Sequence, residues 1–279
     1  MSAIILNGRE TSDRIKEQLK IEIENKSTRK PKLVSIIIGN NPDADVYVRN
    51  KSRACEKIGI LFEKHNFTEN ITENEILNVI KNLNIDPEID GIIIEMPLPK
   101  HINTNILTSA IDPSKDVDCM NPINLGKLFI GTPVFIPSTV LSIMTILDAY
   151  NIELEGRNAV IIGRSNIVGK PAILLLLSKN ATVTTCHSKT KNIKEITKQA
   201  DILIAAIGKP KFVNSSFVKD GAVVVDVGVN SIGDSIVGDV DFDDVKETAS
   251  YLTPVPGGIG VLTTTMLLSN TIRAFNLHI

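Results

Sequence analysis

Tyr47 and Lys51 stand four residues apart in Asp43-Ala44-Asp45-Val46-Tyr47-Val48-Arg49-Asn50-Lys51. On a helix beginning near Asp43, that spacing puts both side chains on one face. Val48, Ser52 and Cys55 fall on a neighbouring, more buried face. An aromatic ring one turn from a lysine can stack a flat heterocycle beside a group that gives or takes a proton. By spacing alone, a solvated surface lysine beside a packing tyrosine is the more common arrangement.

A second constellation suits an anion. Ala159-Val160-Ile161-Ile162 reads as a strand running into Gly163-Arg164-Ser165-Asn166-Ile167-Val168-Gly169-Lys170-Pro171, with an apolar helical stretch behind it. Strand, glycine turn and helix leave backbone N–H groups and a helix dipole facing an incoming phosphate. Ser165 stands where a strict GxGxxG would have its second glycine, and Pro171 replaces the hydroxyl that holds magnesium in a P-loop. Nucleotide hydrolysis of the P-loop kind is therefore disfavoured. The next strand, Ala181 to Thr185, ends in Cys186-His187-Ser188-Lys189-Thr190, with hydroxyls and a cation but no acid. An acid there would take the ribose hydroxyls of NAD. Arg164 and Ser188 in its place suit the 2′-phosphate of NADP. Ile207-Gly208 and Val227-Gly228-Val229 also end apolar strands in glycine turns, where ligands of open α/β sheets bind.

The elements that must position these residues alternate. Buried strands are expected at Val34 to Ile38, Gly91 to Ile94, Ala159 to Ile162, Ala181 to Thr185, Ile202 to Ile207 and Ala222 to Val227. Most are apolar throughout, as parallel strands covered on both faces should be. Ile15, Leu19 and Ile23 repeat at helical spacing, and Thr72 with Glu75 forms a capping-box signature. The fold class is α/β with two domains: a Rossmann-like NADP domain, an α/β catalytic domain, and a cleft between them. Proline and glycine breaks at Gly131 to Ser138 and Thr253 to Gly258 set the boundaries. These give a catalytic domain over 1–138, a nucleotide domain over 139–260, and a C-terminal helix over 261–279 that returns to the first.

Composition excludes more than it names. The 279 residues suit about two domains. Lys+Arg 30 against Asp+Glu 32 supplies no basic field for a phosphate backbone, and aromatics at 4% supply few stacking platforms, so nucleic acid is not an expected partner. No apolar run approaches the roughly 18 residues of a membrane span. Cys55, Cys119 and Cys186 are scattered and odd in number, which disfavours disulfides and a zinc site; a cytoplasmic protein without a metal is expected. His65, His101 and His278 are isolated, and no Gly-x-Ser-x-Gly elbow is present.

Taken in order, the motifs form a pattern. They are Tyr47 and Lys51, Pro97-Leu98-Pro99, Lys115-Asp116-Val117-Asp118, Gly163-Arg164-Ser165 through Pro171, Cys186-His187-Ser188, Val237-Gly238-Asp239-Val240-Asp241-Phe242, and Thr253-Pro254-Val255-Pro256-Gly257-Gly258. The chain closely resembles the bifunctional methylenetetrahydrofolate dehydrogenase/methenyltetrahydrofolate cyclohydrolase family over nearly its whole length. The resemblance implies hydride transfer from the methylene bridge of the folate to NADP, then addition of water to the methenyl cation to give formyltetrahydrofolate. It implies that Lys51 is the central catalytic group, that Tyr47 stacks on the folate, and that Asp118 binds its pterin-like ring. It places Gly163, Arg164, Ser165, Ser188 and Val229 at the NADP, and it implies a homodimer joined through the NADP domain. Ser235 to Val240 is a plausible edge strand for that contact.

Departures from the family pattern fall on the expected site. Glu95 stands where the family usually has a glutamine that contacts the catalytic lysine and serves mainly the cyclohydrolase half. A carboxylate there favours the ammonium form of Lys51, against a general-base role. The dehydrogenase is then expected to survive while the cyclohydrolase is weak or shifted in pH. Ala44 replaces a frequent serine, Cys119 a glycine, Ser138 a cysteine, and Val140 and Val261 prolines. On the residues alone, another two-domain NADP dehydrogenase and a non-catalytic NADP-binding protein stay open.

Overall fold

The computed structural model describes residues 2–26, 29–39, 42–233 and 235–279, with side chains for all of these except 26 and 42–46. Asn40, Asn41 and the side chain of Ala44 therefore lie outside the described residues. In chain order, β1 (Ile4–Ile5) and α1 (Gly8–Lys26) come first. β2 (Lys32–Ile38), α2 (Pro42–Ile58), β3 (Leu61–Phe67), α3 (Glu73–Ile85) and β4 (Gly91–Ile94) follow. Next are α4 (Thr104–Ala110), α5 (Pro122–Phe129) and α6 (Ser138–Ala149). β5 (Asn158–Ile162), α7 (Gly169–Ser178), β6 (Thr182–Cys186), α8 (Ile193–Thr197), β7 (Ile202–Ala205) and β8 (Val223–Asp226) continue the alternation. β9 (Asn230–Ile232), β10 (Ser235–Val237), α9 (Phe242–Val245), β11 (Tyr251–Leu252) and α10 (Ile259–His278) complete the chain.

These elements divide into two compact units, one of Arg14–Ser138 with Thr264–Ile279, the other of Met1–Asp13 with Thr139–Thr263. The first unit carries a parallel sheet of order β3-β2-β4. The period of two sends alternate residues of β2 to opposite faces. Leu33 joins Leu19, Ile23, Cys55, Ile58, Leu267, Leu268 and Ile272 from α1, α2 and α10. Val34, Ile36 and Ile38 join Ile76, Ile80, Leu83 and Leu107 from α3 and α4 on the other face. α3 starts on the expected capping box: the Thr72 hydroxyl accepts from the Glu75 amide, and the Glu75 carboxylate accepts from the Thr72 amide at 2.8 Å. β3 is not among the expected strands, because Leu-Phe-Glu-Lys-His-Asn-Phe lacks an apolar run; it lies at the sheet edge, where polar side chains reach solvent.

The second unit holds six strands in the order β1-β11-β8-β7-β5-β6, all parallel. Every residue of β7 and β8 is buried, whereas edge strand β6 alternates. The direction of winding reverses between β5 and β7, and ligands of such sheets bind outside the carboxyl ends of the strands at that point. Two expectations need correction. The first domain does not run over 1–138: β1 pairs with β11, Ile4 opposite Tyr251, so the first 13 residues pack with the nucleotide unit. The strand expected over Ser235 to Val240 ends at Val237 and forms a two-stranded antiparallel hairpin with β9. The ladder stops there because the amides of Asp239 and Val240 donate to Asp226 instead.

Candidate active site

Tyr47 and Lys51 lie on α2, with Val48 and Cys55 buried behind them. Tyr47 is half-exposed. Lys51 Nζ donates to both oxygens of Glu95, at 2.7 Å to Oε1 and 2.6 Å to Oε2. The pair is largely shielded, with side-chain exposures of 17% and 10%, so its charge-assisted bonds are stronger than those of a surface pair. Glu95 follows β4 directly, and its amide continues the ladder onto the Ile36 carbonyl at 2.9 Å. Its Oε1 also accepts from the hydroxyl of Ser35, at 2.7 Å. Ser35 is absent from the expected site residues, although a lone serine between Val34 and Ile36 in a buried strand is a visible signal.

Asp118 sits in the loop that leaves Asp116, half-buried, and accepts from the Ser138 hydroxyl at 2.8 Å. Burial pushes its carboxyl above the ordinary aspartate range; the Ser138 hydroxyl and the Lys51 ammonium pull it down, and Glu95 adds to the rise. Asp118 therefore belongs to the same electrostatic neighbourhood as Lys51 and Glu95. Asp116 braces the loop from behind, accepting from Met120 N, Asn121 N and Asn124 Nδ2 at 2.9, 2.9 and 2.8 Å. Burial lifts it to about 6 against those donors. Cys119 takes a left-handed backbone, φ 56°, which glycine adopts at no steric cost. Its buried thiol donates to the Phe135 carbonyl at 3.3 Å, and burial raises it well above the ordinary thiol range.

In the other unit, Gly163 leaves β5 with φ 142°, and a Cβ there would collide with the carbonyl of Ala206 just past β7. Only glycine fits, and the tight turn delivers the chain to α7 at Gly169. Ser165 Oγ accepts from Val168 N at 3.1 Å and Gly169 N at 3.4 Å, ordering the start of the helix. Arg164, Ser165, Ser188 and Val229 are all exposed, and all follow the carboxyl ends of strands of one sheet. Among the described residues, no group of three or more His, Cys, Asp or Glu side chains is placed to hold a metal.

Two buried aspartates hold these turns, and neither stands out on its own in the sequence. Asp239 accepts from the amides of Ile207, Gly208 and Lys209 at 2.6, 3.0 and 2.8 Å, and from Asn230 Nδ2 at 3.0 Å. Asp226 accepts from Gly228, Asp239 and Val240 amides at 2.9, 3.0 and 2.9 Å. A Cβ on Gly228 would overlap the Asp239 carboxyl. Asp239→Ala takes the shared acceptor from four part-buried donors at a cost of about 1–2 kcal/mol; urea unfolding is expected to show this loss, with a raised KM for the nucleotide.

Two family models cover most of the chain: "Tetrahydrofolate dehydrogenase/cyclohydrolase, catalytic domain" over residues 6–118 and "Tetrahydrofolate dehydrogenase/cyclohydrolase, NAD(P)-binding domain" over residues 137–279. The chain is 48% identical over 281 residues to the bifunctional protein FolD of Acetivibrio thermocellus, covering 100% of this chain and 99% of that one. The crystal structure of bifunctional FolD methylenetetrahydrofolate dehydrogenase/cyclohydrolase from Campylobacter jejuni superposes with a TM-score of 0.96 at 45% identity, covering 99% and 100% of the two chains. The Trypanosoma brucei enzyme, solved with NADP cofactor and inhibitor, gives 0.95 at 34% identity, covering 99% and 98%.

Proposed function

Because this chain belongs to the tetrahydrofolate dehydrogenase/cyclohydrolase family, we propose that Lys51, Tyr47, Glu95 and Asp118 carry its folate chemistry. The enzyme oxidises methylenetetrahydrofolate to methenyltetrahydrofolate with NADP, and hydrolyses the product to formyltetrahydrofolate. The observation that carries the residue assignment is the shielded Lys51–Glu95 pair with Asp118 in its field. Gly163, Arg164, Ser165, Ser188 and Val229 are the residues that hold NADP in this reading. The tight glycine turn from β5 into α7, and the cation and hydroxyls in place of an acid after β6, fit the phosphates of that cofactor. NADP, when bound, supplies the hydride acceptor.

The chain's own residues have distinct work in the two reactions. Hydride loss from the methylene bridge moves no proton, so Lys51 and Glu95 serve it by fixing the ring system and the local charge. Addition of water to the methenyl cation releases a proton, which needs a local acceptor. The exposed ring of Tyr47 offers a stacking surface one turn from Lys51. The Asp118 carboxylate accepts from ring N–H donors of the pterin.

Following absorbance with methylenetetrahydrofolate and NADP or NAD, then with methenyltetrahydrofolate alone, tests both halves. No nicotinamide reduction with either cofactor would reject the assignment. A second reading rests on the close Lys51–Glu95 contact: the dehydrogenase is intact while Glu95 restrains the cyclohydrolase, because an ammonium clasped by a carboxylate is a poor proton acceptor. The assembly we propose is a cytoplasmic homodimer joined through the nucleotide unit. The β9–β10 hairpin, with Ile232 and Ile236 exposed at 51% and 46%, supports that contact.

The raised Asp118 carboxyl has a pH consequence. Its ionised form accepts the pterin donors, and protonation on acidification begins at a higher pH than for an ordinary aspartate. The KM for folate is therefore expected to rise as pH falls, from above the ordinary aspartate range. Asp118→Asn raises the KM at neutral pH and removes that acid limb from the kcat/KM profile.

A further inference from the structure

Ser35 has no exposed surface and occupies the central strand β2, among Leu33, Val34, Ile36, Ile37 and Ile38. The period of two puts it on the Leu33 face, the one covered by α2 through Cys55 and Ile58. A buried hydroxyl needs a partner. Ser35 finds it in a side chain 60 positions away, donating to Glu95 Oε1 at 2.7 Å. β2 thus holds Glu95 at both ends. The Glu95 amide donates to the Ile36 carbonyl at 2.9 Å, and its carboxylate is pinned by the neighbouring Ser35.

The pin has a geometric effect on the lysine. A glutamate side chain has several rotatable bonds, and in most of their settings only one oxygen faces a given donor. With Oε1 fixed by Ser35, both oxygens lie within 2.7 Å of Lys51 Nζ. Two of the three ammonium N–H bonds are committed to Glu95, which sets the direction of the third. We propose that Ser35 is a positioning residue for this enzyme: its hydroxyl locks the Glu95 carboxylate against Lys51 and thereby sets the balance between the dehydrogenase and cyclohydrolase steps. This rests on the reading of Lys51 and Glu95 given above. A central strand covered on both faces is a rigid mount for such a lock.

The ratio of cyclohydrolase to dehydrogenase kcat separates this role from simple stabilisation, because loss of folded enzyme lowers both rates together. Ser35→Ala loosens the clasp and is expected to raise the ratio about fivefold, with the KM for NADP unchanged, since a small misplacement of a reacting group changes rate steeply. Ser35→Thr keeps the hydroxyl and restores the wild-type ratio. Ser35→Cys, a weak donor of similar size, falls between and serves if the alanine variant is unstable. In a Glu95→Ala background the Ser35→Ala shift disappears. If Glu95→Ala leaves the ratio unchanged, the reading of Glu95 fails and this inference with it. If Glu95→Ala moves the ratio while Ser35→Ala does not, or if the Ser35→Ala shift persists without Glu95, only the role of Ser35 is overturned.

Discussion

Lys51→Met lowers the cyclohydrolase kcat by about 10³-fold, the range of a lost general acid–base group, and the dehydrogenase kcat by about 10²-fold. The two losses differ because the chemistry differs. Water addition to the methenyl cation must deliver a proton to a nearby group, and in the proposed reading that group is Lys51, which sits beside Glu95 and within the field of Asp118. Hydride loss moves no proton, so its dependence on Lys51 is one of geometry and charge. Removing the ammonium also leaves Glu95, only 10% exposed, as an unpaired buried carboxylate, which costs several kcal/mol. Lys51→Met with Glu95→Gln removes that penalty and is expected to recover the melting temperature without recovering the cyclohydrolase. Stopped-flow decay of methenyltetrahydrofolate and steady-state NADP reduction, with a melting curve on each variant, check the set. Equal loss of both activities in proportion to lost folded protein would reduce Lys51 to a structural partner of Glu95.

Much of this arrangement is legible in the residues alone, for physical reasons that also explain what is not. Strands such as Ile202–Ala205 and Val223–Asp226 are buried on both faces and announce themselves as apolar runs. β3 is a polar edge strand without such a run, and β1 is an edge strand of two residues in the short stretch Ala3 to Leu6. The packing of the N-terminus with the nucleotide unit follows from pairing between Ile4 and Tyr251, nearly the full chain apart, which no local pattern encodes. The spacing of Tyr47 and Lys51 permits a site without requiring one. The acid facing Lys51 lies 44 positions away, and only the motif order suggests that Glu95 meets it. Asp118 reads as an ordinary loop acid until the family resemblance gives it a role. Asp226 and Asp239 escape notice because their function is a mesh of backbone bonds, made possible by the close approach of Gly228 and Gly238.

Glu95→Gln tests the departure that most distinguishes this chain, and it is expected to move the two activities in opposite directions. In the native pair both carboxylate oxygens accept from Lys51 Nζ, at 2.7 and 2.6 Å, and the two charges cancel locally. An amide offers one acceptor oxygen and turns its NH₂ donor toward the ammonium, so Lys51 loses one bond and its counter-charge together. With the double contact to Glu95 opened, the Lys51 nitrogen is free to turn toward the attacking water. The cyclohydrolase kcat is therefore expected to rise by about 10-fold to 100-fold, within the range of general-base catalysis. The dehydrogenase faces the reverse pressure. Its product is a cation, and Glu95→Gln removes a negative charge that favours that developing cation, so its kcat falls by a smaller factor. Ser35 can still donate to the amide oxygen that Glu95→Gln introduces, so the new side chain keeps its mount on β2 and the comparison isolates the charge. A rapid cyclohydrolase in the native enzyme that Glu95→Gln leaves unchanged would defeat the argument. A fall in the cyclohydrolase would instead make Glu95 the proton acceptor, with Lys51 as the group that orients it.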